Sequence, residues 1–116
     1  MDWNYLFTSF EGRINRQPFW IGGLILWAIQ TVAAGVLIGL LGETLGNALF
    51  GLLSLILIYP SLAIGVKRWH DHDKSGWWLL ILLIPLVGVI WYLVVCGFMR
   101  GTVGANRFGP DPLGGS

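Results

Sequence analysis

Three stretches of the chain, residues 20–41, 47–66 and 77–99, carry no Asp, Glu, Lys, Arg or His. They are 22, 20 and 23 residues long. At a helical rise of about 1.5 Å per residue, even the shortest reaches about 30 Å, the thickness of a bilayer hydrocarbon core. The pattern predicts three transmembrane helices. The link 42–46 is short, so the first two are expected to form an antiparallel hairpin. The polar segment 67–76 then leads into the third. Pro18 suits the first turn of the first helix, and Ser75 stands where a side chain would cap the third. Pro85 and Gly88 fall inside the third stretch. A single kinked span is expected there, because membrane helices tolerate proline. The alternative is a reversal at 84–88 that returns the tail to the side it came from. Ahead of the spans, Trp3, Leu6, Phe7, Phe10 and Ile14 recur at helical spacing. They predict an amphipathic helix within 1–19, lying apolar face down on the membrane surface. Residues 100–116 hold five glycines and two prolines by position and read as a flexible, non-regular tail, with Gly114, Gly115 and Ser116 resembling a linker. The expected fold is all-α and integral to a membrane, in one domain.

Composition agrees with that pattern. Of 116 residues, 55% are hydrophobic and 11% charged, against about 25% charged in soluble domains. The first apolar stretch is too long, and too far from the start, for a cleaved signal peptide. A net charge of +1 gives no basic field for nucleic acid. The single cysteine, Cys96, excludes an internal disulfide framework.

Charge position sets the expected orientation. Arg13, Arg16, Lys67, Arg68 and Lys74 would lie on one side of three spans, with Arg100 and Arg107 on the other. Basic residues favour the cytoplasmic side. The N-terminus and the 67–76 segment are therefore expected inside, and the C-terminus outside. Trp20, Trp69, Trp77 and Trp78 would gather at the inner interface, where indole rings sit well.

Candidate chemistry is sparse. The spans lack the buried charges of pumps and coupled transporters, and the chain is too short for paired transporter repeats. Gln30, in the middle of the first span, needs a hydrogen-bond partner from another helix or a second copy. Gly35 and Gly39 form a GxxxG spacing that lets helices approach, with packing inside the chain expected ahead of homodimerisation. The segment KRWHDHDKSGWW places His70, Asp71, His72 and Asp73 in a row. Neighbouring side chains in an extended segment diverge, so four consecutive residues make a poor tetrahedral metal site, and no metal or other cofactor is expected. His70, Asp71 and Ser75 match a hydrolase triad in composition only, so no catalytic residue is assigned. The basic set Arg13, Arg16, Lys67, Arg68 and Lys74 could hold an anionic lipid headgroup or a partner's acidic segment.

Four ordered motifs carry a family resemblance. Phe10-Glu11-Gly12-Arg13-Ile14-Asn15-Arg16 with Phe19-Trp20 forms the first, and Arg68-Trp69-His70-Asp71 the second. Ser75-Gly76-Trp77-Trp78 is the third. Pro85 with Gly88, then Gly101-Thr102, Gly104 and Asn106-Arg107-Phe108-Gly109-Pro110-Asp111-Pro112, close the set. Together they resemble the YhaH-like family of small bacterial inner-membrane proteins, whose activity is unassigned. Lys67 and Trp69 stand where the family pattern reads arginine and leucine, and His72 lies outside it. The resemblance implies a bacterial cytoplasmic-membrane address and directs attention to Arg13, Arg16, Arg68, His70, Asp71 and Asn106. Asp71 is expected to pair with a basic residue of the N-terminal segment, with His70, Asp71 and Ser75 fastening the inner loops. The expected function is interaction with lipid or partner membrane proteins. An oligomeric channel or small-solute exporter, and an enzyme acting on a lipid-derived substrate, are the alternatives.

Overall fold

A computed structural model describes residues 2–113; the linker-like residues 114–116 lie outside the described part. Helix α1 (Trp3–Thr8) starts where the Asp2 side chain accepts from the Tyr5 amide at 3.1 Å, a standard N-cap. It is shorter than expected, and Phe10 and Ile14 follow it in irregular chain. Part of the apolar face is used inside the protein: Leu6 is buried, packed toward Gly22 of the next helix, and Ile14 is also in the core, while Trp3 stays 49% exposed. Through Leu6 the segment packs on the protein, because the hairpin beside it offers apolar surface that α1 covers.

Helix α2 (Arg16–Asp71) is one run of 56 residues interrupted at Gly42, whose φ is 85°. A straight helix of that length would extend about 84 Å, yet the longest dimension of the molecule is 53 Å. The chain doubles back at Gly42, a left-handed backbone position that glycine occupies without a Cβ penalty. Four residues on, a Cβ on Gly46 would lie 2.6 Å from the Ile38 Cα, so the two arms, 16–41 and 43–71, touch backbone to backbone. The contact glycine here is Gly46. Gly35 and Gly39 face open space, contrary to the packing expected of them, because their side of the arm points away from its partner.

The second arm continues to Asp71, one turn beyond the predicted end of its span. Residues 67–71 are therefore helix, and only 72–75 form a loop. Lys67, Arg68 and Asp71 then share one face at i, i+3 and i+4 spacing. The helix ends as His72 and Lys74 donate backbone N–H groups to the Trp69 carbonyl at 3.0 Å, with Asp73 at φ 58°.

The third stretch is not a continuous span. It is a 3-10 helix (Gly76–Leu83), a turn at 84–86, helix α3 (Val87–Tyr92) and a π-helical turn (Leu93–Phe98). Ser75 precedes the first piece without a side-chain capping bond. Pro85 lacks an N–H and its ring crowds the carbonyl four residues back. Leu86 takes φ 62°, and the Val87 amide bonds the Pro85 carbonyl at 2.7 Å. The chain reverses. At about 2 Å per residue the eight residues of the outgoing arm rise about 16 Å, half of a bilayer core. Both arms return to the same end of α2: the Trp69 ring lies 5.7 Å from Trp78 on the outgoing arm and 6.4 Å from Tyr92 on the returning one. The expected single kinked helix over 77–99 is thus replaced by a hairpin. Among the described residues α2 is the one helix long and apolar enough to cross a membrane, and no strand is present beyond an isolated bridge between Asn106 and Gly109.

Candidate functional site

The fold brings the N-terminal segment, the end of α2 and the C-terminal segment to one end of the molecule, with Asp71 at their centre. Its Oδ1 accepts from Arg13 Nε at 3.0 Å, and Arg13 Nη2 lies 2.9 Å from the same oxygen. Its Oδ2 accepts from Arg68 Nη1, three residues earlier on the same helix face. Its backbone carbonyl accepts from the Thr102 amide at 2.6 Å. All three side chains are almost wholly enclosed. Charges buried this way are tolerated only when paired and hydrogen-bonded throughout.

The remaining guanidinium donors reach backbone carbonyls. Arg13 Nη1 donates to Gly104 at 2.7 Å and Gly109 at 3.1 Å, and Nη2 to Thr102 at 2.6 Å. Arg68 donates to Cys96 and Met99. Lys67, also fully buried, makes no bond to Asp71 and donates instead to the carbonyls of Tyr5, Leu6 and Ser9. Those three acceptors lie at and beyond the C-terminal end of α1, where unpaired carbonyls and the helix dipole favour a cation. Burial still pushes the Lys67 ammonium down to about 8.

His70 and the C-terminal segment complete the arrangement. The His70 Nδ1–H donates to the Gly12 carbonyl at 2.9 Å, and its ring stacks on Phe108 at 3.9 Å with the planes 1° apart. Asn106 Nδ2 donates to the His70 carbonyl at 2.9 Å. Arg107 pairs with Asp73 at 3.1 Å, and Asp111 accepts from the Gly104 amide and from Arg100. Residues 100–113 are therefore a docked strap, contrary to the flexible tail expected of them. Glycine-rich and proline-rich composition told only that the segment lacks regular structure. Its carbonyls are what satisfy the buried arginines.

Burial pushes the imidazoles of His70 and His72 below their ordinary value, helped by Arg107 at His70 and by Arg68 at His72. Among the described residues the Nε2 of His72 and the indole N–H of Trp69 are the buried side-chain atoms without partners. Among the described residues no three His, Cys, Asp or Glu side chains converge as a metal would require.

Several expected contacts are relocated. Arg13, Lys67 and Arg68 cannot meet a lipid headgroup, because they are buried and their donors already bond carbonyls and Asp71. Arg16 remains exposed, with Nη1 donating to the Phe98 carbonyl at 2.9 Å. Lys74 lies 5.3 Å above the Trp78 ring. Arg100 and Arg107 sit beside Asp111 and Asp73, so the expected division of basic residues, five at one end and two at the other, does not exist: all seven are at the same end. Ser75 is half-buried and takes no part in the Asp71 cluster. Gln30 is half-buried along an apolar groove that Ser61 also lines. The motif residues Pro110 and Pro112 are exposed on the strap, while Gly76 packs against Val66.

An all-helical chain whose basic residues are gathered at one end, and whose long helix is apolar along both arms, has the pattern of an integral membrane protein. The comparisons with known proteins agree. The chain belongs to the family described as protein of unknown function DUF805, whose pattern matches residues 7–110. It is 36% identical to the inner membrane protein YhaH of Escherichia coli K12 over 123 aligned positions, covering 97% of each chain. It is 35% identical to inner membrane protein YhaI of the same strain, covering 95% of this chain and 91% of that one. It also resembles the uncharacterized protein YiiR, at 29% identity over 89% of this chain and 85% of that one. No solved structure matches it. The protein is thus a bacterial inner-membrane protein of the YhaH-like family.

Proposed function

We propose that this is a multi-pass protein that acts by interaction, presenting apolar helix faces to lipid or to a partner membrane protein from a rigid polar base. In this reading the α2 hairpin crosses the bilayer twice, and the third stretch enters from the polar end and returns to it. The two termini then lie together in the cytoplasm. Seven basic residues gathered at one end support that side, since positive charge is retained inside; the opposite end offers only Glu43 near the hairpin turn.

The observation that carries the functional reading is the occupancy of the charged centre. Asp71, Arg13, Arg68 and Lys67 all hold the protein's own segments, and the His70 ring is covered by Phe108. The carboxylate and the three cations are thus engaged within the protein, and Phe108 covers one face of the imidazole. The exposed surface is apolar instead, with Leu40, Trp27 and Leu83 at 79%, 66% and 78% exposure. In lipid, specific contact comes from packing and from scattered polar groups. Two experiments test this. A C-terminal reporter should be active only in the cytoplasmic form; activity on the outer side overturns the topology. Native mass spectrometry from a mild detergent should show lipid or a protein partner retained; a bare monomer overturns the interaction.

A further inference from the structure

Arg16, Trp20, Gly23, Trp27 and Gln30 fall at intervals of four and three residues, so they form one stripe along the first arm of α2. The last four line a groove of about 420 Å³, whose other walls include Ser61 on the second arm of α2 and Tyr92 at the end of α3. From Trp20 to Gln30 the groove runs about 15 Å along the helix. Its walls are mostly apolar, and it opens to the side. At its polar end Trp20 Nε1 donates to the Gly97 carbonyl at 2.7 Å, closing the floor, and the Phe98 ring lies 5.7 Å from Trp20. Arg16 stands one helical turn before Trp20 on the same stripe, next to this polar end.

Arg16 is unlike its basic neighbours. It is exposed and makes no ion pair among the described residues, with one nitrogen on the Phe98 carbonyl. Behind it, the buried centre holds three cations, Arg13, Lys67 and Arg68, against the single buried carboxylate of Asp71. The excess of positive charge next to the polar end of an apolar groove is complementary to one kind of membrane component. We propose that this groove holds one chain of an anionic glycerophospholipid, with the lipid's phosphate on the free nitrogens of Arg16. The chain runs past Gly23 and Trp27 toward Gln30. Arg16 fixes the headgroup by charge-assisted hydrogen bonds, and the missing side chain at Gly23 leaves the width that the chain needs. The inference rests on the membrane-interaction reading above and names the ligand of that surface.

The test compares retention of phosphatidylglycerol and phosphatidylcholine of matched chain length, by native mass spectrometry of the full chain from a mild detergent. The expected result is one lipid per chain with phosphatidylglycerol preferred. Arg16→Gln should lower that preference about fivefold, the factor that one basic residue contributes at an anionic surface. Gly23→Leu should remove bound lipid of both kinds. A Cβ at position 23 meets nothing within 4 Å, and leucine suits a helix better than glycine, so that variant folds and fills the groove only. Arg107→Gln, whose residue already pairs with Asp73, should change neither. Equal retention of the two lipids, or retention indifferent to both Arg16→Gln and Gly23→Leu, overturns the proposal. A retained protein partner with no lipid overturns it too, but leaves the interaction reading standing; a bare monomer removes both.

Discussion

Replacing Asp71 by asparagine tests the polar base most directly. The carboxylate stands between two guanidinium groups, 3.0 Å from Arg13 Nε and bonded to Arg68 Nη1 through its other oxygen, with all three side chains at 5% exposure or less. Asparagine preserves the volume and one acceptor, but it turns an NH2 group toward one arginine and leaves both cations without a counter-charge. Breaking a buried ion pair by removing one partner costs about 3–5 kcal/mol. Native proteins have only about 5–15 kcal/mol of stability in total, so the loss should be conspicuous. Unfolding in detergent by sodium dodecyl sulfate titration, followed by tryptophan fluorescence, gives the difference. The exposed Asp73–Arg107 pair supplies the contrast: Asp73→Asn should change little, because a solvated pair contributes little. A double-mutant cycle of Asp71→Asn with Arg13→Gln should show coupling of about 1–3 kcal/mol. If Asp71→Asn is no worse than Asp73→Asn, or the cycle shows no coupling, the buried cluster does not hold the segments together and the reasoning is wrong.

Two further outcomes follow from the hairpin and the imidazoles. Gly46→Val should destabilise by about 1–3 kcal/mol, the usual cost of forcing atoms into a filled contact, because its Cβ would meet the Ile38 backbone. Gly39→Leu should leave the unfolding midpoint unchanged or raised, since nothing lies within 4 Å; equal losses in the two variants would contradict the hairpin contact. His70 and His72 are both held below their ordinary pKa of 6.5 by burial. Above that value both states are neutral and pH has no effect through them. As pH falls through 6.5 the unfolded chain takes up protons that the folded protein does not, so stability declines. The midpoint at pH 5.5 should lie below that at pH 7.5, with the difference reduced in His72→Gln. A midpoint that rises on acidification refutes the burial of these rings.

Residues 20–41 and 47–66 declared their helical, membrane-bound character by length and by absence of charge, since a bilayer-sized apolar run has few other uses. The motif around Asp71 also drew attention to Arg13, Arg68, His70 and Asn106 as a related group, through resemblance to a family. A pair between Asp71 and a basic residue of the N-terminal segment was expected, and Arg13 stands 2.9 Å from that carboxylate; the other partners of the cluster were not readable. A linear reading treated residues 67–76 as a polar loop, whereas helix through Asp71 puts Lys67, Arg68 and Asp71 on one face and buries them. That burial depends on acceptors from residues 5–9 and 96–109, and backbone carbonyls carry no sequence signature. The course of residues 77–99 was equally out of reach. Pro85 announces a disturbance, but whether the chain bends or reverses depends on what the returning strand meets. Here it meets Trp20, Gly65 and Trp69. Composition thus determined the solvent of this protein, and periodicity determined its helices. The docking of residues 100–113 and the burial of three cations are long-range contacts, decided only when the three segments close around Asp71.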